Sequence, residues 1–141
     1  MTTADYLLKG ISLPDGTKAD VAIAGGLIAS MSSEYKGEVK VVIDAKDCVV
    51  LPGLVDLHTH LREPGREDAE TVLSGSRAGV KGGFTAVSAM ANTSPVADTA
   101  GVVEQVYRLG QEAGLLDVFP IGAVTQGLKG EALSEIGAMA D

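Results

Sequence analysis

The sequence lacks the features that mark membrane and secreted proteins. It has a single cysteine, Cys48, so no internal disulfide can form and an oxidising compartment is not required. No apolar run approaches the roughly 20 residues of a membrane-spanning helix, and no basic stretch followed by an apolar one marks a secretory signal. We therefore expect no membrane association and a cytoplasmic location. Cys48, in the apolar run DCVVLPG, is expected to be a small buried residue.

Positive charge and aromatic side chains are also scarce. Lys and Arg number 11 against 19 Asp and Glu, which gives a net charge of -8, and the basic residues are scattered along the chain. Because a phosphate backbone is bound by a clustered basic surface, we expect no nucleic-acid partner. Tryptophan is absent, aromatic residues make up 4% and glycine occurs 18 times. The core must therefore rest on aliphatic side chains with many tight turns, as is common in α/β proteins.

The first part of the chain has the pattern of a small β domain. Short β-like runs alternate with turn signals, first PDGT after DYLLKGISL, and then the Gly25 and Gly26 pair inside ADVAIAGGLIASM, which predicts a hairpin. Two β-branched runs follow on either side of AKD. We expect four or five short strands over residues 1–51. About 50 residues are too few to form a comfortable core alone.

After Pro52, strand-like runs alternate with segments of helical period. The strands are GLVDLHTH, FTAVSAM and LLDVFPIGAV, and the helices lie in EDAETVLSGSRAGVKGG, ADTAGVVEQVYRLGQEAG and EALSEIGAMAD. The first helix is expected to bury the face formed by Ala69, Val72, Leu73, Ser76 and Val80. This order requires a parallel sheet with helical crossovers. A closed eightfold barrel takes about 250 residues, so residues 52–141 form either a compact three-strand unit or the front part of a longer protein.

Both histidines of the chain lie in the stretch VDLHTHLREPG. His58 and His60 are two positions apart on a predicted strand, and Arg62 follows two positions later, so the three side chains can share one face. The carboxyl ends of parallel strands are where α/β proteins bind ligands. Because neutral imidazole is a zinc ligand, the pair predicts half of a metal site. On spacing alone, a hydrogen-bonded pair beside a turn is the alternative.

Arg62 and Asn92 are the other candidate binding residues. An arginine beside a metal ion is repelled unless an anion lies between them, and its guanidinium fits a carboxylate with two hydrogen bonds. Arg62 therefore suggests an anionic substrate, and the alternative is a salt bridge to a neighbouring acidic residue, Glu63, Glu67 or Asp68. Asn92 follows the second parallel strand, where its amide can bind a ligand or form a turn.

The segment LPGLVDLHTHLREPGREDAETVLSGSRAGVKGGFTAVSAMANTSPVAD resembles the opening of the barrel in dihydroorotases. These are amidohydrolase-superfamily enzymes that interconvert carbamoyl aspartate and dihydroorotate in pyrimidine synthesis. The resemblance is most specific at HTHLREPG, EDAET, GGFTAV and ANTSPV, and the preceding β-rich segment resembles part of the small domain beside that barrel. It implies an α/β chain in which part of a small β-sandwich-like domain, residues 1–51, precedes the first three βα units of a TIM-type (β/α)8 barrel, residues 52–141.

The same resemblance implies roles for the candidate residues. His58 and His60 match the first two ligands of a zinc site, with two ions in a complete active site, and Arg62 and Asn92 match the residues that hold the substrate's carboxylate. No catalytic acid or base can be assigned within the chain, and it has only 2 histidines. Because a catalytic zinc takes about three protein ligands, the chain alone is expected to be inactive. The resemblance also allows two kinds of assembly, a homo-oligomer or a complex with aspartate transcarbamoylase.

Two other functions are compatible with the pattern. The bare PG-x-VD-x-H-x-H pattern also fits hydantoinases and allantoinases, although Arg62 together with Asn92 favours a substrate with a free carboxylate. The second alternative is a non-catalytic dihydroorotase-like chain kept as an assembly subunit. The intact His58, His60 and Arg62 count against it, because a chain released from catalysis has no need of them.

Overall fold

The computed structural model describes residues 3–140, and it has the α/β composition that the sequence predicts. The chain divides after Pro52 into two compact units. Each unit has a β-sheet of its own. No helix within the described residues is long and apolar enough to cross a membrane.

The first unit is a four-stranded sheet. Its strands are β1 (Ala4–Ser12), β2 (Lys18–Ala24), β3 (Leu27–Ser32) and β4 (Val39–Asp44), in the order β3-β2-β1-β4. β1 pairs antiparallel with β2 and parallel with β4. The predicted hairpin is confirmed, because β2 and β3 are antiparallel and Gly25 and Gly26 join them with φ of 56° and 77°. Such a two-residue turn needs positive φ at both positions.

A buried carboxylate holds this sheet to the chain around it. Asp20 is only 5% exposed, and its two oxygens accept the backbone N–H groups of Gly10 at 2.9 Å and Tyr35 at 3.0 Å. The hydrogen bond from Tyr35, followed by the one from Gly10, lowers the pKa of Asp20 below its ordinary value of 3.8. Asp20 is therefore ionised at neutral pH and satisfies two backbone donors.

The expected burial of Cys48 is wrong, because its side chain is exposed. β4 ends at Asp44, and the chain then turns, with the N–H of Cys48 donating to the carbonyl of Ala45 at 2.9 Å. The second β-branched run forms only an isolated parallel bridge between Val49 and Ser12. Val49 is therefore exposed outside the sheet, whereas Val50 packs against the buried side chains of Ile11, Val21 and Ala45.

The second unit is a three-stranded sheet with helical crossovers. In chain order it comprises β5 (Leu54–Thr59), α1 (Val72–Lys81), β6 (Phe84–Ala89), α2 (Ala100–Ala113), β7 (Asp117–Pro120), a 3₁₀ turn (Gln126–Leu128) and α3 (Ile136–Ala140). The sheet order is β5-β6-β7, and both strand pairs are parallel. The predicted alternation of parallel strands and helices is confirmed.

The core of the second unit lies between the sheet and the first two helices. It consists of Leu61, Val72, Val87, Ala89, Val106, Leu116 and Val118. β5 and β7 are the two edge strands, and some of their large apolar side chains are exposed, for example Leu57 at 73% and Phe119 at 53%. The buried apolar surface is thus concentrated on one face of the sheet.

The first helix begins later than its amphipathic pattern predicts. The hydroxyl of Thr71 accepts the N–H of Ser74, and the hydroxyl of Ser74 accepts the N–H of Thr71, so this capping box starts α1 at Val72. Ala69 therefore lies outside the helix. The rest of the predicted face divides into two buried residues, Val72 and Ser76, and two exposed ones, Leu73 and Val80.

Candidate metal and anion site

Three of the candidate residues, His58, His60 and Arg62, lie where β5 passes into the loop before α1. β5 ends at Thr59, and its pairing with β6 shifts register between Asp56 and Thr59. Arg62 has a φ of +64°, in the left-handed region. The strand therefore does not run as far as His60 and Arg62, so the shared face expected of a continuous strand does not extend beyond Thr59. The conformation of the loop, and not the pleat of a strand, determines where the side chains of His60 and Arg62 lie.

The imidazole rings of His58 and His60 nevertheless lie side by side. Their centroids are 5.2 Å apart and their planes are inclined at 65°. Two imidazoles that share a tetrahedral zinc ion through bonds of about 2.0–2.1 Å have centroids roughly 5 Å apart. The chemistry and the spacing of this pair therefore fit two ligands of one zinc ion. Within residues 3–140, no group of three His, Cys, Asp or Glu side chains is arranged to hold a metal ion.

The side chain of Asp56 holds the backbone of His58. Its Oδ1 accepts the N–H of His58 at 2.9 Å. This hydrogen bond is the main reason why the pKa of Asp56 lies below its ordinary value of 3.8. The carboxylate is therefore ionised at neutral pH, and it adds negative charge beside the imidazoles.

His60 and Asn92 come together from neighbouring strands. Nδ1 of His60 lies 2.7 Å from Oδ1 of Asn92, at hydrogen-bonding distance. The contact forms because β5 and β6 are parallel, so the loops that follow them leave the sheet at the same edge. Asn92 is thus more than a turn residue, since its amide contacts a candidate metal ligand.

The loops that carry Arg62 and Asn92 also meet further along. The carbonyl of Pro64 accepts the N–H of Ser94 at 2.9 Å. Gly65 packs so closely against Ser94 that a Cβ at this position would lie 2.1 Å from the Ser94 carbonyl oxygen. These contacts hold the two loops together, and no local pattern in the sequence signals them.

Glu63 anchors the first of these loops to the helix. Its Oε2 accepts the N–H of Val72, the first residue of α1, at 2.7 Å. A carboxylate is favourable at this position because the N-terminus of a helix carries partial positive charge. The sequence indicates Glu63 only as an ion-pair partner of Arg62, whereas in the structure its carboxylate caps α1.

The neighbouring acidic residues do not neutralise Arg62. Asp68 pairs with Arg66 at 3.5 Å, and Glu67 accepts the N–H of Gly65 at 2.8 Å. In the part of the chain that the structure describes, Arg62 forms no salt bridge, and it is exposed. The predicted alternative of a salt bridge within the loop is therefore wrong, and the guanidinium is available to an external anion.

A parallel β-α sheet with an imidazole pair at the end of its first strand defines a class of α/β protein suited to binding a metal ion. The family is identified by sequence. The chain belongs to the dihydroorotase-like family, because the model of that family, described as "Dihydro-orotase-like", matches residues 47–141.

Individual relatives agree with this assignment. The dihydroorotase of Leifsonia xyli subsp. xyli is 57% identical over 141 residues, which cover 100% of this chain and 32% of the relative. The dihydroorotase of Streptomyces coelicolor is 59% identical over 133 residues, which cover 94% of this chain and 31% of the relative. The L-hydantoinase structure from Arthrobacter aurescens has a TM-score of 0.74 at 26% identity and covers 89% of this chain and 29% of that one. The chain thus spans about a third of the length of these relatives.

Proposed function

We propose that the chain supplies the first part of a zinc-dependent cyclic amidohydrolase. The specific activity we propose is that of a dihydroorotase, which interconverts N-carbamoyl-aspartate and dihydroorotate in de novo pyrimidine biosynthesis. The observation that carries the proposal is the contact between His60 and Asn92, because it brings an imidazole that can bind a metal ion next to an amide that can bind an anion. The identity of 57% to a dihydroorotase supports it.

In this proposal His58 and His60 hold one zinc ion, and a complete site contains two ions. When bound, zinc supplies Lewis-acid chemistry that activates water and polarises the carbonyl of the ring amide. A catalytic zinc takes about three protein ligands and an open position. In the proposal, the remaining ligands and the group that transfers the proton come from the rest of the enzyme, and we expect the chain alone to be inactive.

Arg62 and Asn92 bind the substrate's carboxylate in the same proposal. The guanidinium offers two parallel N–H donors, and the amide of Asn92 offers its NH₂ group. The absence of a salt bridge to Arg62 within the described residues supports this role, because an anion would neutralise the guanidinium. A carboxylate bound by Asn92 would lie beside the histidine pair, because the amide contacts His60.

The proposal extends to the architecture and setting of the whole protein. The second unit corresponds to the first three βα units of a (β/α)8 barrel, and the first unit corresponds to part of a small β domain. The enzyme acts in the cytoplasm on a small carboxylate-bearing molecule. A homo-oligomer or a complex with aspartate transcarbamoylase is the assembly that we expect.

The test is a chimera in which residues 1–141 replace the matching segment of the Leifsonia xyli dihydroorotase, which is 57% identical over the whole of this length. The zinc-loaded chimera and its parent are assayed with dihydroorotate, dihydrouracil and allantoin. We expect the chimera to hydrolyse dihydroorotate in preference to the two rings that lack a carboxylate. A chimera without activity, beside an active and equally well-folded parent, would instead support the non-catalytic assembly subunit.

An arginine pair in one loop supplies a matched comparison. Loss of a charged hydrogen-bond partner costs about 1.5–3 kcal/mol. We therefore expect Arg62→Met to lower kcat/KM for dihydroorotate by about 10- to 100-fold. Arg66→Met removes an exposed arginine that pairs with Asp68, and it should leave kcat/KM nearly unchanged. Equal losses in both variants would contradict the role of Arg62.

The second candidate is a hydantoinase-type activity, and the structural similarity to an L-hydantoinase favours it. A substrate of this class lacks the free carboxylate, so Arg62→Met should then change kcat/KM little. Preference of the chimera for dihydrouracil or allantoin over dihydroorotate would establish this candidate in place of the first.

A further inference from the structure

The amide oxygen of Asn92 faces one ring nitrogen of His60, and this contact determines the tautomer of the imidazole. An amide oxygen only accepts hydrogen bonds, so the Nδ1 atom 2.7 Å away has to carry the proton. In neutral imidazole the lone pair then lies on Nε2. We propose that Asn92 is a positioning residue that holds His60 in the Nδ1–H tautomer and thereby presents Nε2 to the metal ion. This inference rests on the proposed function, in which His60 is a metal ligand.

Asn92 is itself held firmly enough for this role. Ala91, just before it, is 5% exposed, and its carbonyl accepts the N–H of Ala97 at 2.9 Å. The hydroxyl of Thr93, just after it, donates to the carbonyl of Pro95 at 2.7 Å. These hydrogen bonds hold the chain on both sides of Asn92, which places its amide beside the ring of His60.

The two histidines are supported in different ways. The ring of His60 has the Asn92 amide as its partner, whereas the ring of His58 makes no hydrogen bond to residues 3–140. His58 is held through its backbone, whose N–H donates to Asp56. Metal-binding histidines usually donate their second ring N–H to an acceptor, which fixes both the tautomer and the orientation of the ring. Asn92 supplies that acceptor for His60.

The NH₂ group of the same amide is available to a ligand. With Oδ1 directed to His60, the NH₂ group of Asn92 has no protein acceptor among the residues that the structure describes, and it can donate to an anion. One side chain then contacts both the metal ligand and the substrate's carboxylate.

The histidine tautomers can be measured directly by NMR. The 141-residue chain contains only 2 histidines, so two-bond ¹⁵N–¹H correlations of the metal-free, ¹⁵N-labelled chain at mildly alkaline pH resolve both rings. A His58→Gln variant assigns them. We expect His60 to carry its proton on Nδ1. A proton on Nε2 of His60 would overturn the proposal. This result is expected if the NH₂ group of Asn92 faces the ring, and also if the contact between Asn92 and His60 does not form.

Three variants separate positioning from general structure. Asn92→Ala removes the acceptor and should abolish the preference for Nδ1–H, whereas Asn92→Asp keeps an acceptor and should retain it. Thr93→Ser alters the same loop but keeps the hydroxyl that donates to Pro95, and it should leave the tautomer unchanged. Zinc titrations followed by the NMR signals of the His60 ring should give an affinity for zinc about 10- to 100-fold weaker in Asn92→Ala than in wild type. An unchanged tautomer in Asn92→Ala would refute the positioning role.

The two proposals can fail separately. Asn92→Asp in the chimera should retain the His60 tautomer but raise KM for dihydroorotate, because a carboxylate repels the substrate anion. A proton on Nδ1 of His60 in a chimera that prefers neutral rings would contradict the proposed function alone. A proton on Nε2 in a chimera that hydrolyses dihydroorotate would contradict the role of Asn92 alone.

Discussion

Replacement of Gly65 by alanine tests the contact between the two loops of the candidate site. Gly65 has a φ of +101°, and a Cβ here would lie 2.1 Å from the carbonyl oxygen of Ser94 and 2.5 Å from its Cβ. Because these atoms belong to the backbone or are bonded directly to it, a side-chain rotation cannot relieve the clash. The loops must separate. Gly83 is a matched control, since its φ is +87° and a Cβ there would meet nothing within 4 Å.

The two substitutions differ by the cost of the clash. A non-glycine residue in a sparsely populated backbone region costs about 1–3 kcal/mol, and both variants incur this strain. Overpacking adds about 1–3 kcal/mol to Gly65→Ala alone. We therefore expect the free energy of unfolding to fall by about 2–6 kcal/mol for Gly65→Ala and by about 1–3 kcal/mol for Gly83→Ala.

Urea denaturation of the 141-residue chain measures both changes, provided that the variants have equal m-values. In the chimera, Gly65→Ala should also raise KM for dihydroorotate, because Arg62 and Asn92 lie on the loops that the clash moves apart. Gly83→Ala should leave KM unchanged. Equal losses of stability in the two variants would show that the loops are not in tight contact, and would refute the reasoning.

Two other predictions concern stability. The N–H of Tyr35 is the main cause of the lowered pKa of Asp20, so the stabilisation by this carboxylate is present above its ordinary value of 3.8 and is lost as the pH falls through the lower folded-state value. Urea unfolding should show wild type more stable than Asp20→Ala by about 2–4 kcal/mol at neutral pH, with the difference shrinking in acid; a constant difference would contradict this. On α2, Gly110→Ala should destabilise by about 1–3 kcal/mol, because its Cβ would lie 2.6 Å from Cβ of Val118, whereas Gly101→Ala has open space and should stabilise by up to about 1 kcal/mol in the same assay. Changes of the same sign would contradict the packing argument.

The sequence by itself determined the order and type of the elements. Glycine pairs, alternating apolar residues and helical periodicity are local signals, because they follow from the geometry of a few consecutive residues. The hairpin at Gly25 and Gly26 and the parallel β-α alternation after Pro52 were predicted on these grounds and are present. The spacing of His58 and His60 likewise sufficed to identify a metal site as a hypothesis.

Only the tertiary structure decided which side chains meet. The contact of His60 with Asn92 and the cap that Glu63 forms on α1 depend on the pairing of strands and the path of loops, which no local pattern encodes. Strand alternation does not extend to Arg62, because β5 ends at Thr59 and Arg62 has a left-handed backbone conformation. Burial of Cys48 was mispredicted because an apolar run is buried only where a neighbouring element covers it. Local periodicity is thus a property of the chain, whereas contacts and burial are properties of its packing.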